Sequence, residues 1–225
     1  MDWSPILISM RTAGLSIVFT FFMGILAAWM VVRISNPLVK TILDGIFTIP
    51  LVLPPTVAGF FLLLIFSTRR TVGSYLYTTF DIKIVQSWAG CVIAAIVIAF
   101  PLMYRNARAA FEQVDVNLIY AAQTLGMPEW KIFWRVIMPA AGPGVASGTI
   151  LAFARALGEY GATSMLAGNI PGKTATISQR IAMVIQDGDY QTAGVWVGIV
   201  ILIAFGIVVL MNLAFGKGMK HTKQW

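Results

Sequence analysis

In the stretch "FARALGEYGAT" (153–163), Arg155 and Glu159 stand four residues apart inside an otherwise apolar block. On a helix that spacing puts a guanidinium and a carboxylate on one face, a turn apart, where they can pair. A charge is costly in lipid, so the pair is expected to face a bundle interior or a water-filled route. Two readings stay open: the pair shapes or gates a translocation path, or it knits its helix to its neighbours. It is a poor high-affinity anion site by itself, because a tetrahedral oxyanion needs several hydrogen-bond donors and this arginine is already partnered.

Other reactive groups are sparse. Cys91 falls within an apolar block with no second cysteine to bridge, and reads as packing. His221 stands alone in a basic tail, and no Cys/His/Asp/Glu spacing suggests a metal site. Neither a cysteine/histidine pair nor paired catalytic carboxylates occur, so no catalytic residue is assigned. "GNIPGKT" (168–174) superficially resembles a phosphate-binding loop, but that pattern requires glycine where Ala167 stands, and no strand is expected before it. No cofactor is expected on this chain.

The elements that position these residues are membrane spans. The chain is 58% hydrophobic and 11% charged, with a mean hydropathy of +0.82, where soluble domains carry roughly a quarter charged residues. Its net charge of +7 comes from dispersed basic residues, not an aromatic-flanked stripe, which argues against nucleic acid. A helix crosses about 30 Å of hydrocarbon in about 20 residues. Five blocks are long enough: 8–32, 46–66, 88–104, 144–166 and 193–215. The first exceeds a signal-peptide core and has no cleavage site, so it is expected to remain as a span, with Arg11 snorkelling at its edge.

An odd number of spans puts the termini on opposite sides. With the N-terminus outside and the C-terminus cytoplasmic, nine basic residues lie on inner segments (Arg33, Lys40, Arg105, Arg108, Lys131, Arg135, Lys217, Lys220, Lys223) and six on outer ones (Arg11, Arg69, Arg70, Lys83, Lys173, Arg180). Segments 33–45 and 67–87 read as loops, and 167–192 as a longer outer segment.

Pro50, Pro54 and Pro55 are expected to break or kink the second span, leaving backbone groups that need protein or water around them. A path-lining helix, with Thr56 as a polar contributor, satisfies that need; a centrally packed one does so too. Gly144/Gly148 and Gly194/Gly198 have the small-xxx-small spacing of close helix contacts.

Residues 105–143 form the largest part outside the bilayer. They read as a helix over about 107–125, a break at Gly126-Met127-Pro128, and an amphipathic helix over about 129–138. Ala121 and Ala122 would let a partner surface approach closely, Gly126 would make the turn, and Trp130, Phe133, Trp134 and Ile137 would anchor the unit at the membrane boundary. An interfacial amphipathic helix without a partner is the other reading.

This region carries a resemblance. Ala121-Ala122, Gly126 and "VIMP" (136–139) match in spacing the EAA signature of ABC-transporter permease subunits. Tyr120 stands where that signature commonly has glutamate, Val136 where it has isoleucine, and Met138 where it has leucine, followed by Pro139. "IPLVLPPTVAG" (49–59), "FPLMYRNARAAFEQVDVNL" (100–118) and "FARALGEYGAT" then resemble the molybdate permeases, in a branch that also handles tungstate, sulfate and thiosulfate. The resemblance implies an all-α type I importer permease, one domain over 1–225, in the cell membrane. It further implies a homodimer, two cytoplasmic ATPase subunits that hold ATP and magnesium, and an extracytoplasmic oxyanion-binding protein. The region 107–139 would be the coupling element, and with Tyr120 in place of glutamate its docking would rely on shape and small side chains. An ATP-independent anion channel would share the spans and prolines but leave the coupling motif without a purpose. A membrane enzyme lacks its catalytic set, and a purely structural protein needs no polar helix-turn-helix.

Overall fold

The computed structural model describes residues 2–216. His221, Lys217, Lys220, Lys223 and the C-terminus lie outside the described residues. All regular structure among the described residues is helical. Four helical stretches are long and apolar enough to cross a membrane: Ser4–Val32, Trp88–Glu112, Glu129–Leu157 and Tyr190–Leu210. A fifth apolar segment is a pair of helices, Pro37–Val52 and Pro55–Phe66, bent by 108°.

Helix α1 (Ser4–Val32) lies along α5 (Trp88–Glu112), and small side chains set their separation. A Cβ placed on Gly24 would come within 2.6 Å of Met103 Cγ, so glycine is what admits the methionine there. Ala13, Ala27, Ala28, Ala95, Ala99 and Ala107 are buried in the same core. In lipid, where apolar side chains gain little from leaving solvent, such close packing is what holds helices together. Buried hydroxyls add directional bonds: Ser16 Oγ donates to Val92 O at 3.2 Å, and Trp88 Nε1 donates to Thr12 Oγ1 at 3.0 Å.

Helix α8 (Met138–Leu157) crosses α5 on another side, again through glycines. A Cβ on Gly144 would meet Ala110 Cβ at 2.6 Å, and one on Gly148 would meet Asn106 Cβ at 2.6 Å. A Cβ added at Gly194 or Gly198 on α11 (Tyr190–Gly216) would meet nothing within 4 Å, so among the described residues the expected close contact does not form.

The second block departs from a single span. Helix α2 (Pro37–Val52) takes in most of the expected loop 33–45, because Asn36 caps it by accepting from Leu38 N at 3.0 Å. Pro50 is accommodated inside α2, and the chain turns at Leu53 and Pro54, both extended, before α3 (Pro55–Phe66). Pro54 and Pro55 offer no N–H to continue α2, and each disfavours the helical conformation in the residue before it. The expected loop 67–87 likewise contains a helix, α4 (Thr71–Phe80), ended by Asp81 at φ 53°.

The fourth expected span shifts towards the N-terminus. Its helix ends at Leu157 with Gly158 as the C-cap, and residues 161–166 belong to a separate short helix, α9 (Gly161–Ala167). Segment 167–192 holds α10 (Ile177–Gln186), opened by a reciprocal Thr176/Gln179 capping box. The loop containing "GNIPGKT" is stitched into the fold: Ile170 N donates to Thr174 Oγ1 at 2.9 Å, and Gln179 Nε2 donates to Gly168 O at 2.9 Å. Thr174 is buried there, and α9 precedes the loop where a phosphate-binding loop has a strand.

These contacts define two ends of the bundle. At one, Ile177 N donates to Ser9 Oγ at 2.8 Å and Gln86 N donates to Leu166 O at 3.1 Å. At the other, the C-terminal end of α1, the start of α2 and the end of α5 gather around residues 113–137.

Candidate functional site

At the first of the two candidate regions, α8, α9 and the α2/α3 bend converge. Glu159 lies beyond α8, so its pairing with Arg155 spans the end of a helix rather than running along one. Arg155 Nη1 donates to Glu159 Oε2 at 2.9 Å, and Ala162 N donates to Oε1 at 2.7 Å. The carboxylate thus sits at the N-terminus of α9 and the guanidinium in the last turn of α8, where each complements the helix dipole beside it. Glu159 is 2% exposed, while Arg155 is about one-third exposed.

Against this corner packs the start of α3. A Cβ on Gly161 would lie 3.1 Å from both Pro55 Cβ and Thr56 N, and one on Gly59 would lie 2.6 Å from Ala162 Cα. The glycines permit backbone to approach backbone, and α3 and α9 form a clasp. Pro54 and Thr56 are exposed and Pro55 half-buried at the bend. Pro50 sits inside α2, about one turn before the bend. Pro54, Pro55 and Thr56 therefore lie at the same corner as Arg155 and Glu159, with Pro50 reaching it along α2.

The second region is the polar interlude. Its first half is not one helix: α5 runs to Glu112, and Asp115 then caps α6 (Val116–Thr124) by accepting from Asn117 N at 2.9 Å. Gly126, at φ 71°, reverses the chain while Met127 N donates to Ala122 O at 3.2 Å. A left-handed residue just past a helix is the usual place for glycine. Pro128 caps α7 (Glu129–Ile132), which runs through a π-helical turn (Phe133–Ile137) directly into α8. The expected separate helix over 129–138 is thus the first part of the fourth span. Pro139 accounts for the wide turn: it brings no N–H to the carbonyl four residues back and its ring crowds that oxygen. Met138 N bonds to Phe133 O instead, five residues back.

Within this unit Ala122 is buried and Ala121 exposed, while Val136 and Met138 are half-buried and Pro139 exposed. The expected anchoring face divides: Phe133 turns inward against Trp29 (ring centroids 5.2 Å) and Phe111 (5.8 Å), whereas Trp130 and Trp134 point outward. Arg33 bonds to Glu129 and lies over Trp29 at 4.4 Å, tying the end of α1 to the interlude. Along α6 and its C-cap apolar side chains stand exposed, with Tyr120 58% exposed, Leu118 50% and Leu125 80%, beside the polar Asn117, Gln123 and Thr124. Leu125 is not a motif position; its signal in the sequence is a leucine directly before a turn glycine at a polar tip.

A polar helix-turn-helix at one end of a spanning bundle, with a proline elbow packed beside a buried carboxylate, describes a membrane permease. Residues 20–215 match the binding-protein-dependent transport system inner membrane component family, and the chain belongs to it. It is 44% identical over 185 residues to the molybdenum transport system permease protein ModB of Escherichia coli (strain K12), spanning 82% of this chain and 80% of that protein. With the sulfate transport system permease protein CysT of the same strain it shares 32% identity over 214 residues, 93% of this chain and 76% of that protein. In fold it matches a chain of a bacterial alginate ABC transporter solved with an alginate pentasaccharide-bound periplasmic protein. The TM-score is 0.78 at 19% identity, covering 98% of this chain and 79% of that one.

Proposed function

We infer that this chain is the permease subunit of an ATP-driven importer that carries molybdate across the cytoplasmic membrane by alternating access. The observation that carries this reading is the 44% identity to the molybdenum permease along most of both chains. Two copies would form the path from one permease domain each, over 1–225. Two cytoplasmic ATPase subunits would bind ATP and magnesium, and a binding protein outside would deliver the oxyanion.

The geometry suits such a division of labour. Arg155 is partnered by Glu159, so neither end of the pair is free to hold a dianion tightly. High affinity would belong to the binding protein, and the permease would need only a route. The exposed apolar side chains of α6 and its C-cap would dock in a cleft of the ATPase, and the elbow at Pro54 and Pro55 beside the Arg155–Glu159 corner would line or gate the path. In this reading the α6 end faces the cytoplasm, the N-terminus lies outside and the C-terminus inside. ATP binding would draw the two α6 helices together and open the path outward; hydrolysis and product release would reset it.

The test is ATPase activity of the reconstituted complex with binding protein loaded with different oxyanions. Stimulation by the molybdate-loaded protein is expected. Tungstate, another tetrahedral dianion, would follow closely. Similarity to the sulfate permease supports sulfate or thiosulfate as the second reading, and stimulation by the sulfate-loaded protein alone would establish it. Uptake without ATP would replace both with a passive channel.

A further inference from the structure

Helix α2 has no fully buried residue, yet it is fixed to α5 along a single polar seam. Lys40, Asp44 and Phe47 recur at helical spacing on α2, and Phe100, Tyr104, Arg108 and Glu112 do so on α5. Lys40 Nζ lies 2.9 Å from Glu112 Oε1, and Arg108 Nε lies 3.1 Å from the same oxygen. Arg108 Nη1 pairs with Asp44 Oδ1, which also accepts from Tyr104 OH at 3.0 Å. Phe47 closes the seam on the rings of Phe100 and Tyr104, at 5.6 Å and 5.2 Å between centroids.

The seam's charges balance, two cations against two anions, and Arg108 bridges both carboxylates. Its position matters more than its strength. Glu112 is the last residue of α5, three before the Asp115 cap of α6, so the seam grips the base of the coupling element. Its other side is α2, which leads from Asp44 in about two and a half turns to the elbow at Leu53 and Pro54. Beyond the elbow, α3 is clasped to α9 next to Glu159.

We propose that Lys40, Asp44, Arg108 and Glu112 are positioning residues that make the inner half of the bent pair move with the coupling element. The network is a strut between the ATPase-facing arm and the proline elbow. This rests on the coupling role assigned to α6 above. Without the strut, α2 is left with apolar packing, Leu43 and Phe47 against the core and a short run along α5 and α1, which holds it in place without fixing its position along α5. The ATPase would then still be stimulated, but the elbow would not follow.

The experiment measures molybdate transported per ATP hydrolysed by the full complex in proteoliposomes with binding protein. Coupling between sites is commonly worth 5–150-fold, so Asp44→Asn and Arg108→Gln are each expected to lower that ratio about tenfold or more. Asp44→Glu, which keeps the charge, should stay near the parent value. A fourfold variant with the network reversed (K40E, D44R, R108D, E112R) keeps every opposite-charge contact and should recover most of the ratio. Lys40→Gln removes one arm of the network while leaving the Arg108–Asp44 pair intact, and serves if the Asp44 or Arg108 variants do not assemble; it should lower the ratio in the same direction. A parent-like ratio in assembled Asp44→Asn, Arg108→Gln or Lys40→Gln complexes would overturn the strut. A reversed network that assembles but remains as uncoupled as the single variants would overturn it too. Failure of the functional reading looks different: the unmodified complex itself would then show no ATP-driven molybdate uptake.

Discussion

Arg155 and Glu159 meet at 2.9 Å across the gap between two helices, with Gly158 between them and Ala162 N bonded to the same carboxylate at 2.7 Å. Glu159 therefore joins α8 to α9 as well as balancing a charge. Removing one partner of a fully buried pair leaves the other uncompensated at a cost of about 3–5 kcal/mol. Arg155 is about one-third exposed and can be hydrated in part, so Glu159→Ala should fall short of that loss although it also orphans Ala162 N. Glu159→Gln keeps an acceptor for the amide and should cost less, about 1–3 kcal/mol. Thermal unfolding of the purified permease complex in detergent ranks the two; equal midpoints for Glu159→Ala and the parent would remove the joint from the account.

The clasp between α3 and α9 makes a contrast among glycines. At Gly59 an added Cβ meets the Ala162 backbone at 2.6 Å, which a side-chain rotation cannot relieve, whereas at Gly198 it meets nothing within 4 Å. Overpacking typically costs about 1–3 kcal/mol. Gly59→Ala should accordingly lower the unfolding midpoint by several degrees, at roughly 2–4 °C per kcal/mol for a chain of this size. Gly198→Ala should leave the isolated subunit unchanged or slightly more stable, since helix-interior glycine is unfavourable. If two copies assemble as proposed, destabilisation by Gly198→Ala in the assembled complex alone would identify that face as a subunit contact.

Most spans were legible because a bilayer imposes a long apolar run, and a run such as 193–215 has few alternatives. Boundaries were less legible. The sequence pattern marked the proline cluster at 50–55, but not that Pro50 would be absorbed while Pro54 and Pro55 turned the chain by 108°. Periodicity also could not show that residues 129–137 continue into α8, because an aromatic-rich amphipathic turn reads alike on a membrane surface and in a span. The Lys40/Asp44 and Arg108/Glu112 spacings are visible as two i,i+4 pairs. Their joining into one network depends on α2 lying against α5, which only the tertiary structure supplies.

The outward face of α6 carries the next expectation. Leu125 is 80% exposed and Tyr120 58%, beside the small Ala121. Burying a leucine side chain is worth about 1.5–3 kcal/mol, so replacing it with a charge should weaken docking by roughly ten- to a hundredfold. Co-purification of the ATPase subunit with Leu125→Asp, set against Trp134→Asp on the other exposed face, measures this. Equal retention of the ATPase by the parent and Leu125→Asp would argue against docking through this face of α6.

Gly126 allows bulk and backbone to be separated. An added Cβ finds open space, but φ is 71°, a conformation that costs a branched residue dearly and asparagine little. If the turn itself orients α6, Gly126→Asn should transport nearly as well as the parent. Gly126→Val should strain the turn by about 1–2 kcal/mol or more, leave the subunits associated, and lower the transport achieved per ATP. Uptake and ATPase activity measured on the same proteoliposomes decide the matter. Equal defects in the two variants would point to a partner surface that excludes any side chain at this tip, and equal activity with the parent would show that the turn does not set the coupling geometry.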